Sequence, residues 1–275
     1  RSIQPKLAGG GRRAQRRPPE DATARIGSVL PVPAVLRSLG ADPAEVLAEV
    51  GLDLELFDDP ENRISYAARS RLIGHCAART GCRHFGFLIG QRSGLHTLGL
   101  VGLLVKYSPD VGTALHSLVR HFHLHLRGAT VTLTVDSGRA MLSYEIYQLK
   151  VEATEQTGDG AVAGFFNAVR ELCGPGWTPV ELRFAHSRPD DVDPFSRFFR
   201  APLRFDAEQY GVVFVADWLR RPLPATDPEL RRLLQQQIDA LEARHGGDFP
   251  ARVRSVLRTA LLTDQASADR IAALF

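Results

Sequence analysis

The sequence predicts an α+β protein: a helical N-terminal part, then an α/β part, then the start of an all-α helix-turn-helix unit. Three observations carry this. Capped amphipathic segments fill residues 28–126. From Ala129 the apolar period changes to the alternation of strands, and strands then interleave with helices as far as residue 245. From Phe249 a helical stripe returns (Val253, Val256, Leu257, Ala260, Leu261) and runs through a polar break, Thr263 to Ala266, into a second small-residue helix capped by Ser267.

Composition sets the outer bounds. The chain has 275 residues, 44% hydrophobic and 24% charged, in the range of a soluble globular protein. That length suggests roughly two domains. No apolar run approaches the ~20 residues that cross a bilayer; the nearest, Val101 to Tyr107, is short and contains Lys106. The basic N-terminus has no hydrophobic region after it, so no signal peptide is visible and no membrane partner is expected. Cys76, Cys82 and Cys173 are too few and wrongly spaced for a disulfide framework or a metal site. A cytoplasmic protein with reduced, packing cysteines is the expectation. The net charge of +3 neither requires nor excludes nucleic acid. Residues 1–27, with Arg12, Arg13, Arg16 and Arg17 among Gly and Pro, read as a disordered basic arm.

The elements follow in order. Val32, Val35, Leu36 and Leu39 form a short helical stripe ending at Gly40. Asp42-Pro43-Ala44-Glu45 joins an N-cap, a first-position Pro and a capping-box acid, and the helix stops at Gly51. Ser65 caps a helix carrying Leu72, Ile73 and Cys76, closed by Gly81. Thr97 to Tyr107 reads as one Gly-spaced helix. Ser108-Pro109-Asp110 starts the next, with Val111, Leu115, Leu118, Phe122 and Leu126 on one face. Ala129–Asp136 and Arg139–Tyr147 alternate on either side of Ser137-Gly138, a β-hairpin signal. A long helix over 151–172 ends at Gly174-Pro175-Gly176. Strands at 180–185, 203–205 and 211–216 surround a short helix at 194–199. Asp227-Pro228 opens a last helix whose Leu230/Leu234/Ile238/Leu241 stripe serves either a dimer seam or core packing. Gly246-Gly247-Asp248 reads as a linker.

No Gly-rich phosphate loop, nucleophile elbow or His-Glu-x-x-His run occurs, so no catalytic residues are assigned. The densest titratable cluster is His121-Phe122-His123-Leu124-His125, with His116 nearby. Extended, its three histidines share a face; helical, His121 and His125 lie one turn apart. Either arrangement suits a metal, and the alternative reading is therefore a metal- or small-molecule-binding enzyme or effector module without DNA binding. Against it, the Phe122/Leu126 stripe makes this a helix end with histidines on its polar side. Asp190, Asp191 and Asp193 are read as turn and cap chemistry. Trp177 and Trp218 are core or sheet-edge aromatics, or candidates to line an effector pocket. No cofactor is called for.

Several stretches, in order and with the right spacing, carry a resemblance. "VRSVLRTALLTDQASADRIAALF" resembles the opening of the DNA-binding domain of AraC/XylS-type transcription regulators, Ala266 to Phe275 matching the first helix of its first helix-turn-helix. "SGLHTLGLVGLLVKYSPDVGTAL" resembles the arabinose-binding-type effector domain at Leu98, Gly99, Gly102, Leu103, Ser108, Gly112 and Leu115. Gly174 to Asp191 and Phe198 to Leu230 add further matches. Lys106 and Asp110 depart from the pattern, where small polar residues are usual. The resemblance implies an effector-binding and dimerisation domain over 28–245 (28–126 helical, 127–245 α+β) and an incomplete helix-turn-helix domain over 246–275. It also implies a homodimer, an unidentified small-molecule effector and promoter DNA as partners. Ser267 and Arg270 are the residues expected to contact phosphate.

Overall fold

The computed structural model describes residues 22–148 and 151–244. The linker at 246–248, the helix pair beyond it, Ser267 and Arg270 lie outside the described residues, as does most of the expected basic arm. The end of that expected arm is ordered structure. Strand β1 (Thr23–Arg25) pairs antiparallel with β2 (Arg63–Ser65), and a 3-10 turn follows at Ile26–Ser28. Strands of three residues are too short to show alternation, which is why the sequence did not announce them.

Around this small sheet lie α1 (Val32–Ser38), α2 (Pro43–Ala48), α3 (Tyr66–Thr80) and α4 (Phe85–Gln91). The expected punctuation operates. Asp42 accepts from the Ala44 N–H and Ser65 from the Ala68 N–H, and Gly81 closes α3 in the left-handed region at φ 62°. Ile26, Leu36, Leu47, Leu72, Cys76 and Phe85 form one apolar core beneath these helices.

The stretch 95–107 is not one helix. A 3-10 turn at Leu95–Leu98 and α5 (Leu100–Lys106) are separated by Gly99, at φ 61° and ψ −131°. The next helix, α6 (Val111–His125), is capped by Asp110 rather than by Ser108, whose hydroxyl donates to the Leu104 carbonyl. One Asp110 carboxylate oxygen accepts from the Thr113 N–H at 2.7 Å and the other from its hydroxyl at 2.9 Å. Asp110→Ala should therefore cost about 1 kcal/mol, read as a lower urea midpoint at unchanged slope.

The hairpin is as expected. β3 (Ala129–Asp136) pairs with β4 (Arg139–Ile146) from Asp136↔Arg139 inward. Ser137 and Gly138 both sit at positive φ (49° and 76°), the requirement of a two-residue turn matched to strand twist. The helix α7 (Thr154–Cys173) crosses the sheet, followed by β5 (Glu181–Arg183), α8 (Asp193–Phe199), β6 (Leu203–Arg204) and β7 (Tyr210–Val215). The sheet order is β3-β4-β7-β5-β6, antiparallel except for β5 with β6. Asp191 accepts from the Asp193 N–H, the turn chemistry expected there.

A second core unites α5, α6, α7 and one face of the sheet through Leu104, Leu118, Leu142, Phe165, Phe184 and Phe214. The helix α9 (Pro228–Arg244) completes it: Asp227 accepts from the Leu230 N–H, and Leu234 and Ile238 are buried in this core. The α9 stripe thus packs within its own chain.

Candidate functional site

Where the two cores meet there is a cavity with about 70 Å³ open to the centre of a water molecule. One water needs about 10–15 Å³ of such space, so the cavity has room for a few waters or one compact organic molecule. Its apolar walls are Ile73 of α3, Ile89 of α4, Leu98, Phe122 of α6, and Phe165 and Ala168 of α7. Junctions between packed units are common places for ligand sites.

The polar groups at the cavity come from distant parts of the chain. On α3, Arg69 falls in the buried face beside Tyr66 and Ile73 and is 8% exposed. Its Nε donates to Ser28 Oγ at 3.0 Å, while its Nη1 has no hydrogen-bond partner among the described residues. The same holds for the hydroxyl of Thr157 on α7, which is 1% exposed. Both residues line the cavity, with Ser28, Ser93, Thr97, His125, Tyr144 and Gln156. No Asp or Glu does. Tyr144 and Tyr66 meet hydroxyl to hydroxyl at 3.5 Å, and burial raises the pKa of both.

Behind this layer is Arg25, buried on β1. Its Nε donates to Glu61 at 2.8 Å, its Nη2 also reaches that carboxylate, and its Nη1 donates to His125 Nδ1 at 3.2 Å. A Cβ at residue 99 would stand 2.4 Å from Arg25 Nη2, so Gly99 is what lets the guanidinium pass. Burial, and after it Arg25, Arg69 and Arg63, hold His125 well below the usual histidine range. An arginine only donates, so Nδ1 accepts and the neutral ring carries its proton on Nε2.

The sequence candidates stand elsewhere. Trp177 is buried against Phe166 and Phe214, ring centroids 5.5 and 6.2 Å away, and Trp218 lies on a 3-10 turn beneath the Arg221 guanidinium. Neither lines the cavity. The histidine run is helical, and it diverges. His121 and His125 are buried rather than on a polar side; His121 Nδ1 meets Glu242 of α9 at 2.9 Å, and His125 meets Arg25. Among the described residues no group of three or more His, Cys, Asp or Glu is placed to hold a metal ion. The three cysteines are free and buried, and burial pushes the Cys76 thiol up to about 12. No helix among the described residues is long and apolar enough to cross a membrane.

A helical lobe docked on a sheet thus borders a cavity with a few buried polar groups. The family profile of the arabinose-binding N-terminal domain of AraC transcription regulators matches residues 40–223, and the chain belongs to that family. It is 23% identical over 240 residues to the HTH-type transcriptional regulator VirS of Mycobacterium tuberculosis, covering 86% of this chain and 71% of VirS. It is also 23% identical over 189 residues to the ornithine utilization regulator of Pseudomonas aeruginosa, covering 69% and 56%. The crystal structure of the transcriptional regulator CdpR from Pseudomonas aeruginosa shares the fold with a TM-score of 0.55 at 15% identity, over 89% of this chain and 73% of that one.

Proposed function

We propose that the protein is a sequence-specific DNA-binding transcription regulator, not an enzyme, whose cavity-bearing domain reads a small-molecule effector. The observation that supports it is the family match over 40–223, which spans most of the residues lining the cavity. An effector acts through its different affinity for two arrangements of the domain, a coupling commonly worth about 1–3 kcal/mol. In α9 a route outward exists: the helix packs on the second core and Glu242, near its end, meets His121 and His123 of α6. His121 lies one residue from Phe122, which lines the cavity.

Promoter contact belongs to residues 246–275, with Ser267 and Arg270 on phosphate. Pairing of two copies is part of the same reading, in keeping with exposed Leu103 of α5 and Leu233 of α9. The test is Arg270→Ala in the full-length gene product, followed by fluorescence anisotropy on promoter and unrelated duplexes. The expected result is weakening on both by the same factor, with the slope of log affinity against log salt reduced by about one. An unchanged slope would remove Arg270 from the interface.

A further inference from the structure

We propose that the cavity binds a small monocarboxylate with an apolar body, its carboxylate received by Arg69 and Thr157. This rests on the effector reading above and names the class of effector.

A guanidinium is protonated at any ordinary pH, and a buried charge is held in place by a counter-charge or by a full set of hydrogen bonds. Arg25 has Glu61. Arg69 is as deeply placed, and it has one hydroxyl, Ser28, on its Nε, a tyrosine ring 5.8 Å from its centre and nothing on Nη1. Among the described residues no acid lines the cavity to balance it. His125, the other titratable nitrogen there, is held neutral and so adds a donor rather than a second charge. In the same lining, Thr157 has a buried hydroxyl with no partner among the described residues. A carboxylate satisfies both: one oxygen accepts from the guanidinium, the other from the hydroxyl, in the charge-assisted geometry at which arginine excels.

The rest of the lining sets the other end of the ligand. Ile73, Ile89, Leu98, Phe122 and Phe165 offer dispersion contact and no hydrogen bond, which suits an alkyl or aryl body. The absence of a lining acid also discriminates. An α-amino acid would carry its ammonium into a wall that has no carboxylate for it. A neutral sugar would leave the Arg69 charge unbalanced. The volume limits the body to a compact one.

The test uses the purified 275-residue chain and isothermal titration with butanoate and benzoate, against butanamide, benzamide and leucine. At least one carboxylate should bind about ten- to a hundredfold tighter than its own amide, the size of a charge-assisted contact, and tighter than leucine. Arg69→Gln should erase that preference. Without ligand, Arg69→Met should melt no lower than the wild type, because it removes a buried charge that has no counter-ion among the described residues. Equal binding of acid and amide would overturn the proposal, as would a preference that survives in Arg69→Gln. Absence of binding by every probe, with Arg69→Met melting well below the wild type, would overturn it too and make Arg69 a structural residue. Promoter occupancy by the full-length product separates the two readings. Carboxylate binding that leaves occupancy unchanged supports the site and counts against the regulatory reading alone.

Discussion

Gly90→Val should cost about 3 kcal/mol or more, whereas Gly164→Ala, at the same helix pair, should gain about 0.5–1 kcal/mol. The two helices α4 and α7 press together through glycines. A Cβ on Gly90 would lie 2.3 Å from the Gly160 carbonyl oxygen and 2.7 Å from Ala163 Cβ; one on Gly86 would lie 2.0 Å from the Gln156 carbonyl oxygen. These neighbours are mostly backbone, which does not swing aside as a flexible side chain does. Valine at 90 must therefore part the helices, and Ile89, Gly160 and Ala161 carry the cavity wall with them. Residue 164 differs: its nearest neighbour would be Ser93 Cβ at 3.6 Å, ordinary contact. Alanine there keeps only the advantage of lower backbone entropy in the unfolded chain. Urea unfolding of the two variants beside the wild type gives both signs. If Gly90→Val unfolds at the wild-type midpoint, α4 and α7 do not meet as described.

How far the sequence reveals this molecule depends on how local each cause is. The caps at Asp42 and Ser65 and the Ser137-Gly138 turn are legible because each is settled within four residues, by a side chain reaching a nearby N–H or by a positive φ. The placement of β7 between β4 and β5 is not, since it depends on pairing across long stretches of chain. Nor is the break at Gly99, where the backbone takes a positive φ beside the guanidinium of Arg25, far away in sequence.

The cavity shows the same division. Trp177 and Trp218 suggest themselves by residue type, but type does not say which way an aromatic faces. A better signal is positional. Arg69 lies three residues after Tyr66 and four before Ile73, a charge on an apolar helical stripe, and Thr157 precedes Ala161, Phe165 and Ala168 at helical spacing. A polar side chain in such a stripe is obliged to find a partner, in the chain or in a ligand.

Asp159→Ala should cost about 3–5 kcal/mol, as expected when one member of a buried ion pair is removed. Asp159 of α7 and His186, just after β5, meet at 2.7 Å with side chains 5% and 7% exposed. Phe184, Phe205 and Tyr210 surround the imidazole with ring centroids 5.7, 5.7 and 6.0 Å away. Its Nδ1 donates to the Ser187 carbonyl at 2.8 Å and its Nε2 faces Asp159, an arrangement that favours the protonated ring. Burial opposes that charge, but Asp159 and then the Ser187 carbonyl outweigh it and raise the His186 pKa above its ordinary 6.5. Burial also pushes Asp159 upward, with His186 pulling it back. The sign for His186 follows from linkage: a base whose pKa is raised by folding contributes stability fully below about 6.5, and loses it as pH climbs through the raised value. The margin of the wild type over Asp159→Ala in urea midpoint should therefore shrink as pH climbs above about 6.5, a comparison that cancels the opposite slope contributed by His125, whose lowered pKa makes stability rise with pH toward 6.5. Asp159→Asn, which keeps the shape and removes the charge, should show the same narrowing margin with a smaller loss. A margin that stays constant would place the titration elsewhere. Asp159 stands two residues from Thr157, so the pair whose contribution is lost as pH rises lies on the helix that carries part of the candidate site.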